Sequence, residues 1–170
     1  MGHLLSTLLF SLFTQLIFAQ EGYLLDFQQK WQNATAYTIE LAESMPEEAY
    51  DYRPTAEQMS FRQQLLHLAG NMAWLSSSYL GGERPGHDLR LDTYSKAEVL
   101  DILRESFEMA GKAVVALPAE ALEEKVEFFA GPMNKRQILT LMNDHVTHHR
   151  GQLIVYLRMK GIKPPKYRGW

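Results

Sequence analysis

The sequence has no cysteine among its 170 residues, and this absence excludes several chemistries at once. Thiol nucleophiles, disulfide bonds, cysteine-based zinc sites and lipid attachment through cysteine are all ruled out. The chain also lacks an excess of basic residues, since 17 Lys+Arg stand against 20 Asp+Glu for a net charge of −3. Without a basic block, nucleic acid is not expected as a main partner. A composition of 46% hydrophobic and 22% charged residues is that of an ordinary globular domain with a single core.

The N-terminal segment lacks charged side chains, because no Asp, Glu, Lys or Arg precedes Glu21. From Leu4 to Phe18 it forms an apolar run of about 15 residues, which is short for a membrane span but fits the hydrophobic region of a secretory signal. Ala19 is a small residue placed before a plausible cut. We therefore expect residues 1–20 to be a signal peptide and the chain to be exported, to the periplasm or out of the cell, with no stable membrane insertion after cleavage. An uncleaved anchor and a buried helix are the alternatives.

The rest of the chain, residues 21–170, shows helical periodicity in four segments and no convincing strand alternation. Four amphipathic helices in one domain predict an all-α protein with the architecture of a four-helix bundle. The connections after the first and the second helix are each about 14 residues long, so a strict up-down-up-down order is not implied.

Capping and stop signals set the expected helix boundaries. The second and third helices are each expected to begin with a capping box, in which a serine is followed by Gln or Glu at the third position. The predicted limits are Leu24 to Met45 for the first helix, a start at Ser60 with Gln63 for the second, a start at Ser95 with Glu98 for the third, and Asn134 to about Lys160 for the fourth.

Two histidines fall on the predicted apolar face of the fourth helix. A helical wheel centred on Ile138 places His145 and His149 one turn apart in the middle of that face. Buried imidazoles cost free energy unless their nitrogens have partners, and two of them at this spacing can both bind one ion at about 2.0–2.1 Å. The pair therefore predicts a metal site. His148 lies off this face and is interpreted as a neighbour of the site.

His67 on the second helix is the candidate for a third ligand. It lies about 120° from the main apolar stripe of that helix, so it faces the fourth helix only if the second helix is buried over a wide arc. Apolar Leu66, Ala69 and Ala73 allow such an arc. Taken alone, a buried histidine such as His67 is more often a hydrogen-bonded structural residue than a metal ligand. Asn71, one turn further on, could orient a water molecule.

Several metal and catalytic motifs are absent. No Glu stands three residues before any His, so the Glu-x-x-His ligation of di-iron bundles is missing. There is likewise no His-Glu-x-x-His, no Gly-x-Ser-x-Gly and no glycine-rich phosphate loop. The histidine arrangement is therefore the strongest chemical signal in the sequence.

Three stretches make the chain resemble the DinB/YfiT superfamily of metal-dependent enzymes: MPEEAYDYRP at 45–54, QLLHLAGN at 64–71 and HVTHHRGQ at 145–152. The likeness covers about Gly22 to Trp170. It implies a four-helix bundle in which His67, His145 and His149 bind a divalent transition metal, commonly zinc or nickel. Characterised relatives include thiol-dependent S-transferases and an isomerase that uses a low-molecular-weight thiol. Members of the superfamily often pair, which favours a homodimer.

The expected function is that of a metal-dependent hydrolase or thiol or group transferase, acting on a small molecule that the sequence does not identify. Asn71, Asp144 and His148 are candidates for groups that support the ligands, although Asp144 projects away from the expected ion and no general base is predicted. The alternatives are a non-catalytic module, stabilised by the metal, that binds a partner or serves a structural role, and a metal-free scaffold with hydrogen-bonded histidines.

Overall fold

A computed structural model of the chain describes residues 2–84, 86–89 and 93–170, with side chains from residue 20 onward. The all-α prediction is confirmed, and the fold is a bundle of helices with one small antiparallel hairpin that the sequence pattern did not predict. The elements are α1 (Gly2–Ser44), α2 (Phe61–Tyr79), α3 (Lys96–Ala116), β1 (Lys125–Val126), β2 (Met133–Asn134) and α4 (Lys135–Met159).

Helix α1 begins earlier than predicted and runs without interruption from Gly2 to Ser44. The expected end of the signal peptide, near residue 20, therefore lies inside this helix, and the side chains of residues 2–19 fall outside those described. Within the described part, no helix combines the length and the apolar character needed to cross a bilayer. Cleavage and export stay predictions.

The predicted capping boxes are present at the starts of α2 and α3. The Ser60 hydroxyl accepts a hydrogen bond from the Gln63 backbone N–H, and the Gln63 side chain accepts one from the Ser60 N–H. Ser95 and Glu98 form the same reciprocal pair at α3. The predicted N-cap of α4, Asn134, is confirmed as well, and its box includes a partner that the sequence analysis did not name, Gln137. Each box fixes where its helix begins, and hence the register of the side chains that follow.

Side-chain contacts define the directions of the helices around α4. Helices α1 and α4 run the same way, because Tyr23 meets Thr140 at one end while Arg150 lies over the Tyr37 ring further along both helices. Helix α2 runs opposite to α4 and places its first two turns beside the last four turns of α4. This antiparallel α2–α4 pair contains the candidate site.

Helices α2 and α3 are parallel, so the end of α2 and the start of α3 lie at opposite ends of the pair. Arg62 near the start of α2 donates to the backbone oxygen of Tyr94 just before α3, and Gly82 after α2 lies against Ala113 near the end of α3. A parallel pair of helices cannot be joined by a short turn, which explains why this connection is long.

The buried stripe of α4 is rotated from the one predicted. Val146 and Leu153 are fully buried and mark its centre, whereas His149 is buried nearer one side and His145 is only half-buried. The placement of both histidines in the middle of the buried face is therefore wrong for His145. Helix α4 packs between α1 and α2, so its core face points between these two neighbours and leaves His145 at the margin on the α2 side.

Candidate metal centre

Three histidines from two helices converge at the margin of the bundle. His67 lies exposed on α2, while His145 is half-buried and His149 buried on α4. One ring nitrogen from each can be chosen so that all three lie within 4.8 Å of one another. The Nε2 atoms of His67 and His145 are 3.1 Å apart, and the His145 and His149 ring centroids are separated by 4.4 Å.

The wide burial arc of α2 carries His67 to this position. Leu66, Ala69 and Ala73 are all buried, in addition to the main apolar stripe of the helix, which confirms the wide arc that the sequence allowed. Only a narrow side of α2 is left facing outward, and His67 lies there beside α4. The convergence of the three rings thus depends on packing around α2 and not on one apolar face per helix.

The donor set fits a divalent transition metal. Ligands at about 2.0–2.1 Å around a tetrahedral ion are about 3.3 Å from each other, close to the 3.1 Å between the Nε2 atoms of His67 and His145. Two facing imidazole nitrogens repel unless a proton or a cation lies between them. In addition, Nδ1 of His145 is buried without a hydrogen-bond partner. Neutral imidazoles suit zinc, nickel, copper and iron.

Burial keeps these imidazoles in the neutral form that a metal requires. Burial, together with the neighbouring rings of His149, His67 and His148, lowers the pKa of His145 to about 4. Burial followed by the proximity of His67 and His148 also lowers the pKa of His149 to about 4. Burial alone lowers the pKa of His67. Near pH 7 all three rings therefore offer a lone pair without first losing a proton.

Gln64 is a site residue that the sequence analysis missed. Its side chain is buried on α2, one turn before His67, and its Oε1 lies 2.5 Å from Nδ1 of His149. The Gln64 amide nitrogen donates to Oε1 of Gln152 at 2.6 Å, so Oε1 of Gln64 must be the acceptor for His149. Nδ1 of His149 therefore carries the proton and Nε2 is left with its lone pair. The only feature of the sequence that could have indicated this role is the long polar side chain of Gln64 at a buried position of the helix.

His148 lies at the outer end of the same chain of hydrogen bonds. The Gln152 amide nitrogen donates to Nε2 of His148 at 2.8 Å, while His148 itself is exposed and lies outside the three-histidine group. The path runs from His148 through Gln152 and Gln64 to His149. The structure thus places His148 as a neighbour of the site, which agrees with its interpretation from the sequence.

The other two supporting residues considered from the sequence fall in different places. Asn71 is half-buried one turn after His67, and its Oδ1 is buried with no hydrogen-bond partner. Asp144 is exposed and lines a separate cavity of about 220 Å³ with Tyr23 and Lys30 of α1. The structure therefore places Asn71 next to a candidate ligand, whereas Asp144 faces another part of the bundle.

Together these features define a four-helix-bundle protein with a three-histidine cluster between two antiparallel helices. Residues 19–169 match the DinB family, and the chain belongs to that family. The expected superfamily resemblance is confirmed.

Two relatives from Bacillus subtilis (strain 168) are similar in sequence. The uncharacterized protein YrdA is 24% identical over 152 residues, which cover 84% of this chain and 86% of YrdA. The uncharacterized protein YjoA is 26% identical over 129 residues, covering 73% of this chain and 82% of YjoA.

Solved structures share the fold. A DinB-like protein from Bacillus cereus ATCC 10987 superposes with a TM-score of 0.73 at 21% identity, covering 83% of this chain and 95% of that one. The crystal structure of YjoA superposes with a TM-score of 0.70 at 22% identity, covering 84% of this chain and 97% of that one. These likenesses extend over nearly the whole bundle.

Proposed function

We propose that this chain is a metal-dependent enzyme with a mononuclear centre bound by His67, His145 and His149. The observation that carries the proposal is the convergence of three ring nitrogens within 4.8 Å of one another. The depressed pKa values of the three rings and the hydrogen bond that holds His149 support it. Zinc or nickel is the proposed ion.

The proposed chemistry is hydrolysis of a small molecule or transfer of a thiol or another group to it. Three neutral ligands leave the full double charge on a bound divalent ion, which can acidify a bound water or thiol and polarise a carbonyl group. Gln64 orients the His149 ring, and burial holds His145 and His149 neutral. The exposed position of His67 leaves an approach for substrate from solvent.

The competing function is a non-catalytic module in which the ion only joins α2 to α4. A structural site of this kind is closed by four protein ligands, whereas a catalytic site keeps a position for water or substrate. In the part of the chain that the structure describes, the ligand group consists of three histidines and includes no carboxylate. This composition favours the open, catalytic form.

Metal content tests the ligand set. Elemental mass spectrometry of the purified full chain is expected to give about one ion per chain, lost in His67→Ala, in His145→Ala and in His149→Ala. His148→Ala is the matched control, because this neighbouring imidazole lies outside the group and its loss should leave the metal content unchanged. Full metal content in any of the three ligand variants would contradict the proposed site.

A second measurement separates the enzyme from the structural module. In the cobalt-loaded protein, an added thiol is expected to change the visible absorption of the ion, because an open position exchanges ligands. An absorption spectrum that stays unchanged at saturating thiol would assign the ion a structural role. A chelator that leaves the thermal midpoint unchanged would favour the metal-free scaffold.

Export and self-association complete the proposal. We propose a signal peptide in residues 1–20, export to the periplasm or beyond, and pairing of two chains. The apolar N-terminal run supports export. The frequent pairing of members of the superfamily supports a homodimer. Cell fractionation with N-terminal sequencing of the purified protein tests export and cleavage of the signal peptide. Sedimentation velocity tests the pairing of two chains.

A further inference from the structure

Four aromatic rings cluster where α2 approaches the segment between β1 and β2. Trp74 and Tyr79 come from α2, and their ring centroids are 5.9 Å apart. Phe128 and Phe129 come from the connecting segment, and their centroids are 4.4 Å apart. Trp74 lies 5.7 Å from Phe128 and 6.2 Å from Phe129, with its plane inclined by only 30° to Phe129. We call the partly exposed Trp74 and the exposed Phe129 the aromatic platform.

Phe129 is exposed to solvent. Its side chain is 83% exposed although Phe128, the next residue along, is buried. The segment is closed by a hydrogen bond from the Gly131 N–H to the Phe128 carbonyl at 2.9 Å, with Gly131 in a left-handed conformation at φ 112°. Holding a large ring in water forgoes the hydrophobic gain of burying it. Together with the partly exposed Trp74, whose ring is stacked at 6.2 Å, Phe129 forms one aromatic surface.

The platform continues the side of α2 that carries the metal site. Trp74 follows His67 by two helical turns, about 10 Å along the axis and within about 20° around it. Asn71 lies between the two residues on the same side, and its Oδ1 is buried without a hydrogen-bond partner. A candidate ligand and an aromatic surface therefore follow one another along α2.

We propose that the aromatic platform binds the planar aromatic part of a small-molecule substrate whose metal-binding group reaches the three histidines. This inference rests on the proposed function and specifies its substrate class: an aromatic ring joined by a short linker to a carbonyl, carboxylate or thiol group. A protein partner is disfavoured, because Phe129 offers one exposed ring where a stable interface needs about 800 Å² on each side.

The test compares two metal-binding probes on the cobalt-loaded full chain. Propanohydroxamic acid carries the metal-binding group alone, and 3-phenylpropanohydroxamic acid adds a phenyl ring at a reach of about 8–10 Å from the ion, the separation set by two turns of α2. Dissociation constants are measured from the cobalt absorption. We expect the phenyl compound to bind about threefold to tenfold more tightly, the range of one aromatic pair.

Substitutions at Phe129 test whether the aromatic platform causes the tighter binding of the phenyl compound. Phe129→Ala is expected to reduce it below about twofold without changing the affinity for propanohydroxamic acid, and Phe129→Tyr to retain it. Val115→Ala on α3 is the matched control, because Val115 is also an exposed apolar side chain. Its preference should equal that of the wild type.

The possible failures are distinguishable. Equal affinities for the two probes in the wild type, or an undiminished preference in Phe129→Ala, overturn the inference and leave the metal centre intact. A change of sedimentation in Phe129→Ala with an unchanged probe preference overturns it too and assigns the platform to contact between two copies. A cobalt spectrum that responds to neither probe overturns the proposed function, and the inference falls with it.

Discussion

Gln64 on α2 accepts a hydrogen bond from Nδ1 of His149 on α4 across 2.5 Å, and this contact joins the two helices at the candidate metal centre. Because the other end of the Gln64 amide is occupied by Gln152, the His149 ring has one proton position and one orientation. The lone pair on Nε2 is thereby held ready for a ligand bond, as in metal sites where the second nitrogen of each histidine is hydrogen-bonded.

Removal of this contact should weaken metal binding without removing a ligand. We expect Gln64→Ala to lower the affinity for zinc by about 10-fold to 100-fold, the usual effect of losing such a partner. Gln64→Glu keeps an acceptor at the same place and should retain most of the affinity. Competition with a chromophoric chelator measures both. Gln152→Ala removes only the partner that fixes the other end of the Gln64 amide, so it should cause a smaller loss than Gln64→Ala. An unchanged affinity in Gln64→Ala would contradict the assigned role.

The stability of the metal-free protein should fall as the pH is lowered from about 6.5 towards 4. Burial lowers the pKa of His145 from 6.5 to about 4, and that of His149 equally. Between these pH values the unfolded chain binds more protons than the folded one, so acid favours unfolding. The contribution of both neutral rings to the free energy of unfolding is complete above pH 6.5 and is lost as the pH falls to about 4.

Urea midpoints of the chelator-treated protein at pH 4.5 and pH 7 measure this effect. The double variant His145→Asn/His149→Asn should show a smaller difference between the two pH values than the wild type. His87→Asn is the control, because His87 is an exposed histidine paired with Glu105 outside the cluster, and it should keep the wild-type difference. A pH dependence that is the same in the double variant would show that other groups cause it.

Arg150 is a buried cation without a carboxylate partner in the described part of the chain. Its side chain is 5% exposed, Nη1 has no hydrogen-bond partner, and the guanidinium lies 5.1 Å from the Tyr37 ring centroid. Burial lowers the pKa of Arg150, which shows that desolvation opposes its charge. We expect Arg150→Met to be neutral or to raise the free energy of unfolding by about 1 kcal/mol or more, since an apolar chain of similar volume avoids that cost.

Arg150→Ala tests the packing part of the same argument. It removes the charge and also leaves a void beside Tyr37, so it should lower the free energy of unfolding by about 2 kcal/mol or more relative to Arg150→Met. The free energies of unfolding of the two variants are compared by denaturant unfolding, with the same dependence on denaturant concentration used for both. Strong destabilisation by Arg150→Met would mean that the cation itself stabilises the fold through the aromatic ring.

The capping box at α2 should contribute measurably to stability. Ser60→Ala removes the hydroxyl that accepts from the Gln63 N–H, and we expect it to cost about 1 kcal/mol. Ser60→Thr keeps the acceptor and should cost less. Because both residues serve one box, the double variant Ser60→Ala/Gln63→Ala should cost less than the sum of the single variants. Strict additivity in thermal or urea unfolding would show that the two hydrogen bonds act independently.

Much of the bundle could be predicted from local signals. Ser60, Ser95 and Asn134 marked the starts of three helices because capping depends on neighbours a few residues away. The length of α1 and the small hairpin were missed: an apolar run without charges is compatible with several structures, and strands of two residues are too short to show alternation. The position of His145 was misjudged because the direction of the core depends on which helices flank α4.

The sequence by itself determined the helices, the absence of cysteine chemistry and the one-turn spacing that puts His145 and His149 on the same side of α4. These are properties of composition and of the 3.6-residue period, which act within a segment. Only the tertiary structure decided that His67 meets this pair, that Gln64 holds His149, and that Trp74 and Phe129 form one surface. Each of these contacts joins residues far apart in the chain, and their proximity follows from how complete helices pack.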